Sequence, residues 1–257
     1  MLGAIIGGVI GSVYEGVPVK IYDFDFFPPG TTYTDDTVLT IAVAAAILKQ
    51  KDYQKMLLKY GHKYSEAGYG KLFDQWLKSS NPVPYNSWGN GAAMRVSPIG
   101  FAFDNKIEVL EQARKSAAIT HNHPEGIKAA EAVALAIYLA RTGHDKQQIQ
   151  HELQNLFGYD LRPGFNDIHD DYKYTYAAKD TIPQCLIAFL DSESYEDAIR
   201  LVISLGGNAD AMANITGAIA QAYYKFIPVE LITQTTEYLP NKFLKIMDEF
   251  ERLYVNR

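Results

Sequence analysis

Thr34-Asp35-Asp36-Thr37 and Gly206-Gly207-Asn208-Ala209-Asp210 each stand directly before an apolar run that reads as a helix. Two chemistries suit such segments. Thr and Asp at a helix start cap free backbone N–H groups and complement the helix dipole. The same hydroxyl and carboxylate oxygens are donors for a hard divalent cation, because magnesium prefers oxygen ligands and keeps several waters. Capping is the commoner use of any one such segment. Two of them, each leading into an apolar helix, raise the metal reading without deciding it. Glu15 is a third acidic position, flanked by Gly11 and Gly16, which permit a sharp exit from a helix. A carboxylate there suits a general base or a metal ligand, and equally a solvated helix end.

Residues 86–95, Asn-Ser-Trp-Gly-Asn-Gly-Ala-Ala-Met-Arg, read as a small-residue loop. Exposed backbone N–H groups in such a loop can cradle a phosphate, with Arg95 pairing to it. No Gly-Lys-Ser/Thr follows, so it is not a Walker loop, and the glycine-rich N-terminal segment has no strand before it, so the dinucleotide fingerprint fails too. Thr120-His121-Asn122-His123-Pro124 places two histidines at a helix start. His-x-His can bind transition metals, but hydrogen bonding or capping is the expected use here. Cys185 stands alone, which excludes an internal disulfide framework and a thiolate zinc site. A reducing compartment is expected.

The elements that must position these groups are helical. Gly3, Gly7 and Gly11 recur every four residues and lie on one helical face, letting another backbone come close. Each costs about 1 kcal/mol relative to alanine in a helix, so tight packing has to compensate. Residues 36–49 are apolar nearly all round, as a buried helix would be. Further helices are expected at 124–141, with Pro124 early and Gly143 just past the end, at 195–205, at 209–225 and at 239–254. Residues 158–179 carry Pro, Gly, Asn, Asp and Tyr and read as a long surface loop. Its Tyr172, Tyr174 and Tyr176 either stack on a ligand or pack on the body of the protein, and packing is favoured. There is no strand–helix alternation and no Asn-Gly hairpin signal. The expectation is an all-α chain forming one compact domain over residues 1–257.

Composition narrows the partners. An apolar share of 47% and a charged share of 21% fit a globular chain rather than a disordered one. A net charge of −6 argues against broad adhesion to nucleic acid or anionic membrane. The apolar stretch at residues 2–13 lacks a basic flank and is too short to span a bilayer. A soluble, cytoplasmic protein with no membrane partner is expected.

Taken in order, Gly-Ser-x-Tyr-Glu (ending at Glu15), Thr-Asp-Asp-Thr (34–37), Gly-Asn-Gly-x-Ala-Met-Arg (89–95), Thr-His-x-His-Pro (120–124) and Gly-Gly-x-x-Asp (206–210) resemble the ADP-ribosylglycohydrolase family. That family includes the dinitrogenase reductase-activating glycohydrolases and the eukaryotic ADP-ribosylhydrolases. The resemblance runs from residue 2 to about residue 230. It implies a compact orthogonal helical bundle holding two Mg2+ ions in a central cleft. It implies metal ligation by Thr34, Asp35, Asp36, Asn208 and Asp210, and catalysis through Glu15, Asp35 and Asp36. It implies contacts to ADP-ribose from Asn90, Gly91, Ala92, Ala93, Met94, Arg95 and His121.

The departures from the family pattern are as informative. Asn208 stands where the family usually has Asp, Ala211 where it has Thr, and Gly8 where a Gly-Asp pair is common. Weakened binding of the second Mg2+ is expected. The function implied is magnesium-dependent hydrolysis of the N- or O-glycosidic bond between ADP-ribose and an acceptor: arginine, serine, a nucleic-acid base or a small molecule. The alternative is a catalytically weakened relative that binds ADP-ribose or a related nucleotide without efficient hydrolysis.

Overall fold

The structure, a computed structural model, describes residues 1–256. Among them the regular elements are α1 (Leu2–Gly11), α2 (Asp35–Leu48), α3 (Tyr53–Lys63), α4 (Lys71–Lys78), α5 (Gly91–Met94), α6 (Ser97–Ala102), α7 (Lys106–Ala117), α8 (Pro124–Arg141), α9 (Lys146–Phe157), α10 (Phe165–His169), α11 (Ala178–Asp191), α12 (Tyr195–Ser204), α13 (Ala209–Tyr224), α14 (Val229–Glu237) and α15 (Asn241–Phe250). A π-helical turn, Glu251–Val255, continues α15. The only β pairing among the described residues is an isolated antiparallel bridge between Gly89 and Ala177.

The core is built from α1, α2, α8 and α13, which are buried nearly all round. This accounts for their lack of an amphipathic stripe: a helix covered on every side has no face to keep polar. Most of the apolar run at residues 2–13 is thus a core helix, α1, which ends at Gly11, and no helix of the described residues is long and apolar enough to cross a membrane.

The glycine stripe of α1 seats against α13. A Cβ at Gly3 would lie 2.5 Å from the Gly217 carbonyl oxygen, one at Gly7 2.1 Å from that of Ala213, and one at Gly11 2.5 Å from that of Ala209. As position rises along α1 its partner falls along α13, so the two helices are antiparallel. Backbone-to-backbone approach of this kind tolerates no side chain. The register has a functional consequence: it puts the end of α1, with Glu15, beside the start of α13, with Asn208 and Asp210.

Several boundaries match the sequence signals. Pro124 opens α8 behind an N-cap at His123, and Gly143 follows its end at φ 92°. The segment at 158–179 departs from expectation. It is not simply a surface loop: it contains α10 and the start of α11, and Tyr159, Leu161, Phe165, Ala177 and Ala178 are buried. Polar residues dominate its composition, yet its sparse apolar residues are the ones turned inward.

Candidate active site

A cavity of about 410 Å³ is lined by Glu15, Asp35, Asp36, Asn208, Asp210 and Ala211 together with Asn90, Gly91, Met94, Arg95 and His121. The volume is within the range of small-molecule sites. Residues spread from position 15 to position 211 are gathered there by the starts of α2, α5 and α13, the turn after α1 and the segment before α8.

Capping does not explain the acidic segments. Thr34 and Asn208 occupy the N-cap positions of α2 and α13, yet neither side chain caps its helix. The Thr34 hydroxyl donates to Asp36 Oδ2 at 3.1 Å. Asn208 Nδ2 donates to Glu15 Oε1 and to Asp210 Oδ1, both at 3.1 Å. Its Oδ1 accepts from Asn90 Nδ2 at 2.9 Å. Asp210 Oδ1 also accepts from the Ala211 N–H at 2.9 Å.

The carboxylates crowd one another. Asp36 and Asp210 are buried, and both are pushed above the usual Asp range, first by burial and then by neighbouring carboxylates, Asp210 to about 6. Asp35 is raised well above it too, by burial, Asp210 and Glu15, with Arg95 opposing. Asp36 Oδ1 is buried and receives no hydrogen bond from any donor group, the Asp36 side chain meeting instead the Asp210 carboxyl. An orphaned oxygen among mutually repelling carboxylates, beside the Thr34 hydroxyl, is a donor set that fits one hard cation. Among the described residues, however, no three His, Cys, Asp or Glu side chains converge as a ready-made metal cage.

The raised pKa values have a consequence for stability. In the metal-free protein these carboxyls hold protons that the unfolded chain has already released, so stability falls as pH rises from the ordinary Asp value, 3.8, through about 6 for Asp210. Asp210→Asn removes that penalty. In the presence of EDTA, the variant is expected to melt above the wild type at pH 7.5, and the gap should shrink at pH 4.5. Thermal melts at the two pH values check this; a variant melting lower at pH 7.5 would contradict it.

Opposite the carboxylates, Arg95 is fully buried rather than presented on a loop. Its Nη2 donates to the Ser116 carbonyl at 3.1 Å and to Thr120 Oγ1 at 2.8 Å. Burial lowers its pKa to about 10, and Nε and Nη1 have no partner. Thr120 Oγ1 lies 2.7 Å from His121 Nδ1. A hydroxyl that accepts from Arg95 can give its own proton to Nδ1, and the ring would then carry its proton on Nε2. Burial and Arg95 hold the His121 pKa well below its ordinary value, so the ring is neutral. Nε2 lies 3.1 Å from where a Cβ on Gly91 would be, so the missing side chain at 91 is what leaves the ring its place. His121 therefore presents a neutral imidazole at the cavity wall. Thr120→Val removes this hydroxyl, and affinity for the ADP-ribose that the sequence resemblance implies is expected to fall about tenfold by calorimetry, the equivalent of about 1.4 kcal/mol.

Residues 86–95 are not an open phosphate loop throughout. Residues 91–94 form the single turn α5, and Ala92 and Ala93 are buried core residues absent from the cavity lining. Asn90, Gly91, Met94 and Arg95 do line it. The histidines divide: His121 reaches the cavity, whereas His123 Nδ1 accepts from the Glu125 N–H and caps α8. The tyrosines divide as well. Tyr172 is packed against Gly207 and Met212. Tyr174 and Tyr176 line the cavity, contrary to the packing expected of them. Tyr174 donates to Glu15 Oε1 at 3.2 Å, and Tyr176 stacks on Trp88 with ring centroids 5.3 Å apart. Lys20 holds this segment to the chain after Glu15 by donating to the carbonyls of His169 and Tyr172.

At Gly8, where the sequence resemblance implies an Asp, a side chain would meet Asn214. A Cβ there would lie 3.4 Å from Asn214 Nδ2 and 3.8 Å from the Asp36 Cβ. Both amide atoms of buried Asn214 lack partners.

Sequence reasoning misses Gly68, Gly70, Lys71, Phe73 and Tyr85, which also line the cavity. The Gly-Tyr-Gly triplet at 68–70 is the available signal, since flanking glycines mark a turn. Nothing in its spacing points to the cavity.

The ADP-ribosylglycohydrolase family profile matches residues 1–256. Human ADP-ribosylhydrolase ARH3 is 27% identical over 304 aligned residues, covering 87% of this chain and 84% of its own length. ADP-ribosylarginine hydrolase Tri1 of Pseudomonas putida (strain GB-1) is 24% identical, covering 87% of this chain and 69% of its own. A solved structure described as an ADP-ribosylglycohydrolase-related protein complex superposes with a TM-score of 0.70 at 25% identity, covering 98% of this chain and 94% of that one.

Proposed function

The chain belongs to the ADP-ribosylglycohydrolase family, and from that premise we propose that it is a magnesium-dependent hydrolase of the glycosidic bond between ADP-ribose and an acceptor. The observation that carries this reading is the meeting of Glu15, Asp36, Asp210 and His121 in one cavity. Relatives named ADP-ribosylhydrolase and ADP-ribosylarginine hydrolase support the bond type.

Thr34, Asp35, Asp36 and Asp210 would hold the cation, for which they are oxygen donors. Magnesium, when bound, supplies positive charge to orient ribose hydroxyls and water. Glu15 accepts the proton of the water that attacks the anomeric carbon as the bond to the acceptor breaks, and that proton passes to the departing acceptor, which regenerates the carboxylate. Asn208 and Tyr174, both donating to Glu15 Oε1, fix where that carboxylate points. The neutral Nε2–H of His121 binds an oxygen of the ADP-ribose, and Arg95 acts through Thr120 to keep that tautomer. Tyr174 and Tyr176 offer aromatic surface at the cavity wall.

The test is release of free ADP-ribose from ADP-ribosyl-arginine and ADP-ribosyl-serine peptides, with magnesium and with EDTA. Magnesium-dependent release from either is expected. A second reading, a relative that binds but scarcely hydrolyses, has Asn208 and Ala211 in its favour. Under it no peptide is cleaved by the wild type, and Asn208→Asp combined with Ala211→Thr gives a large gain in activity.

A further inference from the structure

The side-chain amide of Asn208 is fully engaged. One N–H goes to Glu15 Oε1 and the other to Asp210 Oδ1, each at 3.1 Å, while Oδ1 takes the Asn90 amide at 2.9 Å. The orientation is not arbitrary. Turned over, the amide oxygen would face two carboxylate oxygens, and its NH2 would face the Asn90 NH2. Asn90 is itself anchored, its backbone N–H donating to the Tyr176 carbonyl at 2.9 Å and its carbonyl accepting from the Met94 N–H at 3.0 Å. Both asparagines are buried. A positively polarised NH2 thus joins Glu15 to Asp210, bridging two carboxylates as a cation would. On the other side of Asp210 the situation differs. Asp36 Oδ1 is buried and takes no hydrogen bond from any donor group, its side chain meeting only the Thr34 hydroxyl and the Asp210 carboxyl. Among the described residues no cationic side chain forms an ion pair with Asp35 or Asp36.

We propose that this protein takes a single divalent cation, among Thr34, Asp35, Asp36 and Asp210, and that the Asn208 amide, oriented by Asn90, replaces a second cation by donating to Glu15 and Asp210. The proposal rests on the magnesium reading above and deepens it. The charge balance agrees with it. Asn in place of Asp removes one negative charge, and Ala211 offers no oxygen, so the Glu15 side of the site has lost what a second dication needs. The amide keeps Glu15 and Asp210 together with no metal between them.

The stoichiometry is read by calorimetric titration of Mg2+ into EDTA-stripped protein and by electron paramagnetic resonance of the Mn2+-loaded protein. The wild type is expected to bind one ion and to show an uncoupled Mn2+ spectrum. Asn208→Asp is expected to bind two and to show the broadening of a spin-coupled pair. Two ions or a coupled pair in the wild type would overturn the proposal and leave the magnesium reading standing. One ion in both proteins would overturn the role of Asn208. No binding of either metal to the wild type would overturn the magnesium reading itself. The wild-type measurement stands even if the variant, with a carboxylate added to a crowded site, folds poorly.

Discussion

Glu15→Gln is expected to lower turnover by about 10³-fold, within the usual contribution of a general base, and to leave ADP-ribose affinity unchanged. The two side chains have the same shape. The glutamine amide would keep an oxygen to accept from Asn208 Nδ2 and the Tyr174 hydroxyl, the two contacts that place the carboxylate. What is lost is basicity alone. Single-turnover hydrolysis beside calorimetric ADP-ribose binding separates the two quantities. Unchanged turnover would remove Glu15 from the mechanism, while a parallel loss of binding would make it a positioning residue instead.

Gly7→Val should have the largest effect on stability. A Cβ at Gly7 would sit 2.1 Å from the Ala213 carbonyl oxygen and 2.6 Å from its carbon, both backbone atoms of a buried helix that cannot swing aside. Overpacking of this kind costs about 3 kcal/mol or more, which lowers Tm by roughly 6–12 °C in a chain of this size. Activity should fall as well, because parting α1 from α13 carries Glu15 away from Asn208. Gly8→Ala is the control. Its Cβ would make only an ordinary contact, 3.4 Å from Asn214 Nδ2, and alanine gains about 1 kcal/mol of helix propensity. Equal destabilisation by both would show that loss of glycine flexibility, and not backbone contact, explains the effect.

The parts of this protein that can be read from its sequence are those encoded locally. Gly3, Gly7 and Gly11 announce a close helix contact because only glycine permits one. Pro124 and Gly143 mark the ends of α8 because one ring and one missing Cβ act on their own neighbours. The order of five short motifs brings Glu15, Asp36, Asp210 and His121 into one expectation, and the cavity brings them into one place. What escapes depends on distant partners. Arg95 reads as a phosphate-binding side chain, yet it is buried, because Ser116 and Thr120, over twenty residues on, accept its hydrogen bonds. Ala92 and Ala93 belong to a loop motif but pack as core, since residues 91–94 close into a helical turn. Asn208 reads as a cap or a weakened ligand. Its amide is committed by Glu15, Asp210 and Asn90, which come from three separate parts of the chain.

The measurement that bears most directly on the central claim is calorimetric titration of ADP-ribose into the protein, with magnesium and with EDTA. Tight binding that requires magnesium is expected, because the ribose would share the cavity with Asp35, Asp36 and Asp210. Absence of ADP-ribose binding both with magnesium and with EDTA would contradict the claim and assign the cavity to another ligand.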